Sequence, residues 1–498
     1  MNKLNFGRRF KYGSMAVLLS VVVIIAIIVV NIGATLLTDR LGLEVDMTKD
    51  GRYAISDATV ELISSLKEKV NIYVVGTELE MRNHVMISAD GYQMVTYGNE
   101  IVEVLSKYPV ISNGMVSLEF VDVALNPQFL KQFDGIGNVD PYTVIVANEK
   151  GSYRTIPLYQ LYYWYYSFDE SYEQGVGPIG LHVERSIASG ILFLDESEKK
   201  TAVFVSGHGE AADLMAFSDF LQINNFECVS VNLNTTDLPE ETDLVIIAAP
   251  SLDYEEGVIR KLEKYLEKAG ADMFVALSPA NGELPELKRF ISDYGIDISN
   301  STVFDTKVST GAAYISAIPN ADEEMFANLP YTTNIIMPLS LRLTLNEARP
   351  TSYTSRSILT SSDSSFAKVN ADVTQSVVIK EDNDVAGPFD VACVSTYSTI
   401  DLSDYSTSSN NILVLGSAYS MYDEFFNSSK YTNQEFFTAI LNEFFETPDL
   451  SVYEPNEFTV PEILLLNWEK TFVLSILCII PTALLFAGIF VWFRRKNK

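Results

Sequence analysis

Cysteine is almost absent from this chain. Only Cys228, Cys393 and Cys478 occur among 498 residues, and no two are spaced C-x-x-C. That excludes a thioredoxin-type redox centre and a cysteine-ligated zinc site. Cys478 lies in an apolar run, where a thiol behaves as a small hydrophobe; whether Cys228 and Cys393 pair depends on the fold. Histidine is nearly as scarce, with only His84, His182 and His208. No G-x-x-x-x-G-K-[ST] segment occurs, so the chain is not itself an ATPase of that class. Cations are few as well, 35 Lys and Arg against 65 Asp and Glu. A duplex-binding surface needs clustered positive charge, which argues against nucleic acid as a partner.

The acidic residues are themselves missing from both ends, with none before Asp39 and none after Glu469. Residues 12–38 carry no charge and, as a helix, would extend roughly 40 Å, enough to cross a bilayer core of about 30 Å. The basic residues Lys3, Arg8, Arg9 and Lys11 precede this run. It is longer than the apolar core of a cleaved signal peptide, and Ile32-Gly33-Ala34-Thr35-Leu36 matches the A-x-A cleavage pattern poorly. Residues 471–493 form a second uncharged run, bordered by Trp468 on one side and by Trp492 and Phe493 on the other, with Arg494, Arg495, Lys496 and Lys498 beyond. Two membrane-spanning helices are expected, over 12–38 and 470–493. The positive-inside rule places both termini in the cytoplasm and the strongly acidic middle outside, in the plasma membrane.

Between the anchors the pattern predicts an α/β protein in two domains. In the first, 39–195, Ser56 is placed to cap a helix stapled by Ile55 and Val60 and running to about Glu68. A strand is expected at Val70–Val75, a helix ending near Pro109, a strand over Met115–Val123 and a hairpin from Tyr142 to Leu158. That layout is thioredoxin-like without the cysteines. The tyrosine-rich stretch Tyr159–Phe168 fits an interdomain seam or an aromatic binding surface. Gly175-Val176-Gly177-Pro178-Ile179-Gly180 spells G-x-G-x-x-G but follows no expected strand, so it is assigned to a loop.

The second domain, 196–446, alternates apolar strands at Ala202–Ser206, Cys228–Val231, Leu244–Ala249 and Met273–Leu277 with amphipathic helices. Continuous apolar strands signal a parallel sheet covered on both faces, of flavodoxin- or amidotransferase-like type. Residues 300–410 are weakly patterned, and Thr351–Ser365, ten Ser or Thr in fifteen, could be a linker; because Ile412–Gly416 and Asn433–Glu446 still have to complete the sheet, 300–410 is read as an elaboration inside the second domain. Residues 447–469 are assigned to a stalk.

One compact polar turn stands at the end of a buried strand: Gly207-His208-Gly209-Glu210, with Leu214, Met215, Phe217, Phe220 and Leu221 along one side of the helix that follows. Open α/β sheets place ligand contacts at such carboxyl ends. The centre is His208 rather than the serine of a nucleophile elbow. His182-Val183-Glu184 and His208-Gly209-Glu210 are both H-x-E pairs, so a two-histidine metal site is one reading of Glu184, His208 and Glu210. A structural turn, with Glu210 in the first helical turn, is the other. Gly207, His208, Gly209, Glu210 and Glu184 are the candidate contact residues; none is assigned a catalytic role, and no cofactor is expected.

The turn, with Phe204-Val205-Ser206 before it and Glu184-Arg185-Ser186-Ile187-Ala188-Ser189-Gly190-Ile191 upstream, resembles the GldG family. These are membrane-anchored auxiliary components of ABC-type transport systems, named from bacterial gliding motility. Leu43 to Thr48 and Tyr53 to Ser56 are similar to the family's juxtamembrane opening, Leu244–Pro250 to its second domain, and Ile412–Ser417 with Asn433 to Phe437 to its closing strand and helix. The resemblance implies an extracytoplasmic body beside an ABC permease and ATPase, in contact with membrane lipid, and no catalytic mechanism. The competing expectations are an extracytoplasmic hydrolase or metal enzyme using His208 and Glu210, and a surface scaffold binding wall polymer.

Overall fold

The computed structural model describes Ile25, Tyr53 and residues 55–458 except for 88–92, 95, 169–173, 196–198, 212–213, 280–282, 307–312, 328, 330–332, 347–351, 370, 372–377, 401–406, 427, 429, 446–449 and 454. The chain divides into two compact units, Met1–Glu457 and Phe458–Lys498. The two uncharged runs expected to span a membrane lie outside the described residues, Ile25 apart. Among the described residues no helix is long and apolar enough to cross a membrane.

Two α/β lobes make up the first unit. In the first lobe, β1 (Val70–Val75), β2 (Val116–Val121), β3 (Val144–Asn148) and β4 (Tyr153–Ile156) form a sheet in the order β2-β1-β3-β4. The β1–β2 pair is parallel and the β1–β3 and β3–β4 pairs are antiparallel. Its longer helices are α1 (Asp57–Ser64), α2 (Gly98–Ile111) and α3 (Val183–Phe193), with the short helix Glu78–Arg82 before α2. Ser56 caps α1, its hydroxyl accepting from Thr59 N at 3.2 Å. The expected staple fails, because Val60 points outward, and α1 stops at Ser64, short of Glu68. Pro109 sits inside the last turn of α2 rather than ending it.

The segment assigned to a glycine loop is a strand. β5 (Tyr162–Phe168) and β6 (Gln174–Leu181) form an antiparallel hairpin in which Tyr163 pairs with Gly180 and Tyr165 with Gly177. A partner strand supplies the backbone order that the glycines lack on their own.

The second lobe carries a long mixed sheet. β7 (Lys200–Ser206), β8 (Phe226–Asn232), β9 (Leu244–Ala248), β10 (Asp272–Ala276) and a late strand, Thr407–Leu415, run parallel in the order β8-β7-β9-β10-(407–415). All five residues of β9 and of β10 are buried, which is why Leu244–Ala248 and Met273–Ala276 read as uninterrupted apolar runs. The sheet continues antiparallel through 390–400, 341–345, 296–305 and 365–369. The serine- and threonine-rich stretch is therefore no linker: Thr354–Thr360 pairs with 390–400 and Ser365–Val369 with 296–305.

Helices cover both faces. α4 (Met215–Ile223) and the helix Asn433–Phe445 pack Phe217, Phe220, Phe436 and Phe437 on one side. α5 (Glu256–Leu266) and α6 (Pro285–Asp293) pack Leu262, Leu287 and Phe290 on the other. Cys228 is on the outermost parallel strand and Cys393 on the sixth strand across, roughly 24 Å away at about 4.8 Å per strand, so the two do not pair.

Candidate functional site

The glycine-histidine turn lies where the strand order reverses. β7 has β8, the next strand in sequence, on one side and β9 on the other, and open α/β sheets offer a crevice at this switch point. Gly207 and Gly209 both take positive φ, 115° and 69°. A Cβ on Gly207 would stand 2.6 Å from Asn232 Oδ1, and one on Gly209 2.0 Å from Ser251 Oγ, so both positions demand glycine twice over.

The crevice is filled by the chain's own residues. Ser251 N and Leu252 N, just past β9, donate to His208 O at 3.0 and 2.9 Å. Glu210 does not sit in a helical turn as expected, since α4 starts only at Met215. Instead its Oε2 accepts from His208 N at 2.7 Å and its Oε1 from Tyr254 OH at 2.7 Å. The His208 ring is 3% exposed and stacks on Tyr254, centroids 4.1 Å apart and planes 20° off parallel. Its Nδ1 is 3.4 Å from Glu210 Oε1, and neither ring nitrogen makes a hydrogen bond. The turn is thus held by its backbone, by Glu210 and by Tyr254. Sequence reasoning missed Tyr254, which reaches the turn from the end of another strand.

The relative cost of two substitutions follows. His208→Ala keeps every backbone bond and loses ring packing, about 1–3 kcal/mol. Gly209→Ala must relieve both a positive φ and the collision with Ser251, and is expected to lower the urea midpoint further than His208→Ala. The opposite ranking would show that the ring, not the backbone, holds the turn.

Glu184 lies elsewhere. Its Oε2 accepts from Ser56 N at 2.8 Å, from Ser56 Oγ at 2.7 Å and, in a short contact, from Thr59 Oγ1. It fastens the start of α1 to α3. His182 sits edge-on to Tyr163, His84 beside Tyr142 and His208 on Tyr254. Among the described residues no group of three His, Cys, Asp or Glu side chains could hold a metal ion, so the two H-x-E pairs do not make one site.

The tyrosine-rich stretch lies at the seam between the lobes. Gln160 Nε2 donates to Asp219 Oδ1 on α4 at 3.0 Å, and Ser189 Oγ on α3 donates to Ile223 O at 2.6 Å. Arg154 on β4 is buried there with its guanidinium 5.0 Å from the Phe193 ring, and burial lowers its pKa to about 10. Burial likewise pushes the Cys228 thiol up to about 12, leaving it unreactive at neutral pH. A cleft of about 240 Å³ opens in the seam, with Tyr162, His182 and Arg185 on one wall and Asp219 and Asp423 on the other.

Burial, then the Arg185 charge, lowers the His182 pKa to about 3. The unfolded chain takes up this proton near pH 6.5 while the folded chain resists, so the contribution is whole above pH 6.5 and is lost as pH falls towards 3. The slope is up to about 1.4 kcal/mol per pH unit. His182→Asn is expected to flatten the acid limb of a stability-against-pH curve; an unchanged limb would contradict the assignment.

Residues 49–160 match a family model described as a domain of unknown function, DUF7088. No curated protein sequence matches the chain. Among solved structures, one titled the mmIFT52 N-terminal domain has a TM-score of 0.36 at 15% identity, covering 50% of this chain and 99% of its own. The structure of PurLQS from Thermotoga maritima has a TM-score of 0.26 at 14% identity, covering 49% and 99%. Both likenesses are too weak to transfer anything to this chain.

Proposed function

We propose that the chain is an auxiliary, non-catalytic subunit of an ABC-type transport system of the GldG kind. Two membrane spans anchor it with both termini cytoplasmic, and its lobes stand outside beside the permease. The first lobe is of thioredoxin-like type, supported by the order β2-β1-β3-β4 with a parallel β1–β2 pair and a closing α3. The second is flavodoxin- or amidotransferase-like, supported by five parallel strands in the order 2-1-3-4-5.

One observation carries the anchored reading. The first and last described stretches of the lobes meet on the same helix. α1 is tied to α3 through Glu184, and Leu450 and Tyr453 pack beside Ala188 of α3. Asn456 and Glu457 pair with Leu181 and Gly180 just before it. Leu450, Tyr453, Asn456 and Glu457, assigned from sequence to a stalk, thus lie against the first lobe. Two helices that cross one bilayer in opposite directions must leave it at the same surface, and a body whose ends emerge side by side suits that geometry. The filled switch point favours a structural or partner-facing role for the His208 turn over catalysis.

The test is labelling of intact cells or protoplasts with a membrane-impermeant, lysine-reactive reagent. Residues 39–469 are expected to be modified and a tag after Lys498 protected. A protected central region would overturn the reading.

A further inference from the structure

The cleft in the seam has walls of opposite chemistry. On the first-lobe wall, Tyr162 Oη, His182 Nδ1 and Arg185 Nε are buried without a hydrogen-bond partner. Burial lowers the Arg185 pKa, and Glu435 offsets this only in part. A guanidinium withdrawn from water without a well-placed acceptor is costly, and a carboxylate is the group its planar fork fits. On the second-lobe wall stand Asp219, which accepts from Gln160 Nε2 and from the Tyr159 hydroxyl, and Asp423, which accepts from Ala216 N at 2.9 Å. These donors are uncharged, so the wall keeps its acidic character.

Aromatic surface lies between the walls. Tyr163 and Trp164 line the cleft, and Trp164 Nε1 donates to Tyr159 O at 2.8 Å, which sets the indole. Tyr159 and Met215 also line it and remain 41% and 66% exposed, so the cleft has an apolar border. A concave, largely apolar site with a few opposed polar groups is the usual form of a small-molecule pocket.

We propose that this cleft binds a small zwitterion, an α-amino acid with an apolar or aromatic side chain, its carboxylate on Arg185, its ammonium facing Asp219 and Asp423, and its side chain against Tyr163 and Trp164. The site is separate from the His208 turn and does not rest on the transport reading. His182, neutral at physiological pH, adds no second positive charge, so the wall suits a single carboxylate rather than a phosphate dianion.

The test is isothermal titration calorimetry of the full chain in detergent micelles. L-Phenylalanine and L-leucine are the probes, against phenylalaninamide, which lacks the carboxylate, and N-acetylphenylalanine, which lacks the ammonium. Saturable one-to-one binding of the amino acids is expected, with both blocked derivatives at least about tenfold weaker. Arg185→Gln is expected to weaken phenylalanine about tenfold and erase discrimination against the amide, and Asp219→Asn to erase discrimination against the acetyl derivative. If Arg185→Gln does not fold, Arg185→Lys, which keeps the charge, and Asp219→Asn still decide the matter. No binding at millimolar concentration, equal binding of the blocked derivatives, or unchanged discrimination in both folded variants would overturn the proposal.

Discussion

Phe437→Ala is expected to destabilise the second lobe by about 3–5 kcal/mol. Phe437 is 0% exposed at the meeting point of the parallel sheet and the last long helix. Its ring lies 4.9 Å from Phe217, 5.0 Å from Phe436, 5.8 Å from Phe426 and 6.5 Å from Phe274, joining α4, the short helix Asp423–Phe426 and β10 in one cluster. Neighbours held by three separate elements cannot all collapse into the void. A domain stable by 5–15 kcal/mol would lose a large share of its margin. Urea unfolding of the detergent-solubilised chain, followed by circular dichroism, measures it. Leu252→Ala, at an exposed position, is the control and is expected to cost under about 0.5 kcal/mol. Equal midpoints for the two variants would contradict the packing described.

Glu184→Ala is expected to cost about 3–5 kcal/mol and to release α1 from the first lobe. The carboxylate is buried and serves three donors, Ser56 N, Ser56 Oγ and Thr59 Oγ1. Its removal takes the carboxylate acceptor from the enclosed Thr59 hydroxyl, which keeps its bond from the Ser56 hydroxyl at 3.1 Å, and withdraws the group that holds the capping residue itself. Glu184→Gln keeps one acceptor oxygen without the charge and is expected to fall between wild type and Ala. Limited proteolysis reads the local part of the effect, with new cleavage between residues 53 and 64 in Glu184→Ala while the second lobe stays intact. Global unfolding, or no new cleavage, would contradict the role assigned to Glu184.

The strand–helix alternation of the second lobe was legible because its parallel strands are buried on both faces and so announce themselves as apolar runs, Leu244–Ala248 most clearly. The antiparallel half was not. Thr354–Thr360 has only Ile358 and Leu359 buried, and its serines and threonines look like a linker until the pairing with 390–400 is seen. The hairpin at 174–181 was hidden for the same reason, since glycines gain strand character only from a partner. Met215, placed along one side of its helix with Leu214, Phe217, Phe220 and Leu221, is exposed at the border of the cleft while those four are buried. At the site, the flanking glycines marked the His208 turn correctly. What closes it, Tyr254, lies 44 residues beyond Glu210, and what Glu184 serves lies 128 residues before it at Ser56. No local pattern encodes contacts at such separations; they exist only once the sheets are assembled.

The central claim is that this body works beside an ABC permease and ATPase. Affinity purification of the full chain from detergent-solubilised membranes tests it directly. The account predicts that an ABC ATPase and a permease subunit co-purify in fixed proportion and are lost when the two uncharged runs are removed. Recovery of the full chain without either subunit, under conditions that preserve other membrane complexes, would contradict it.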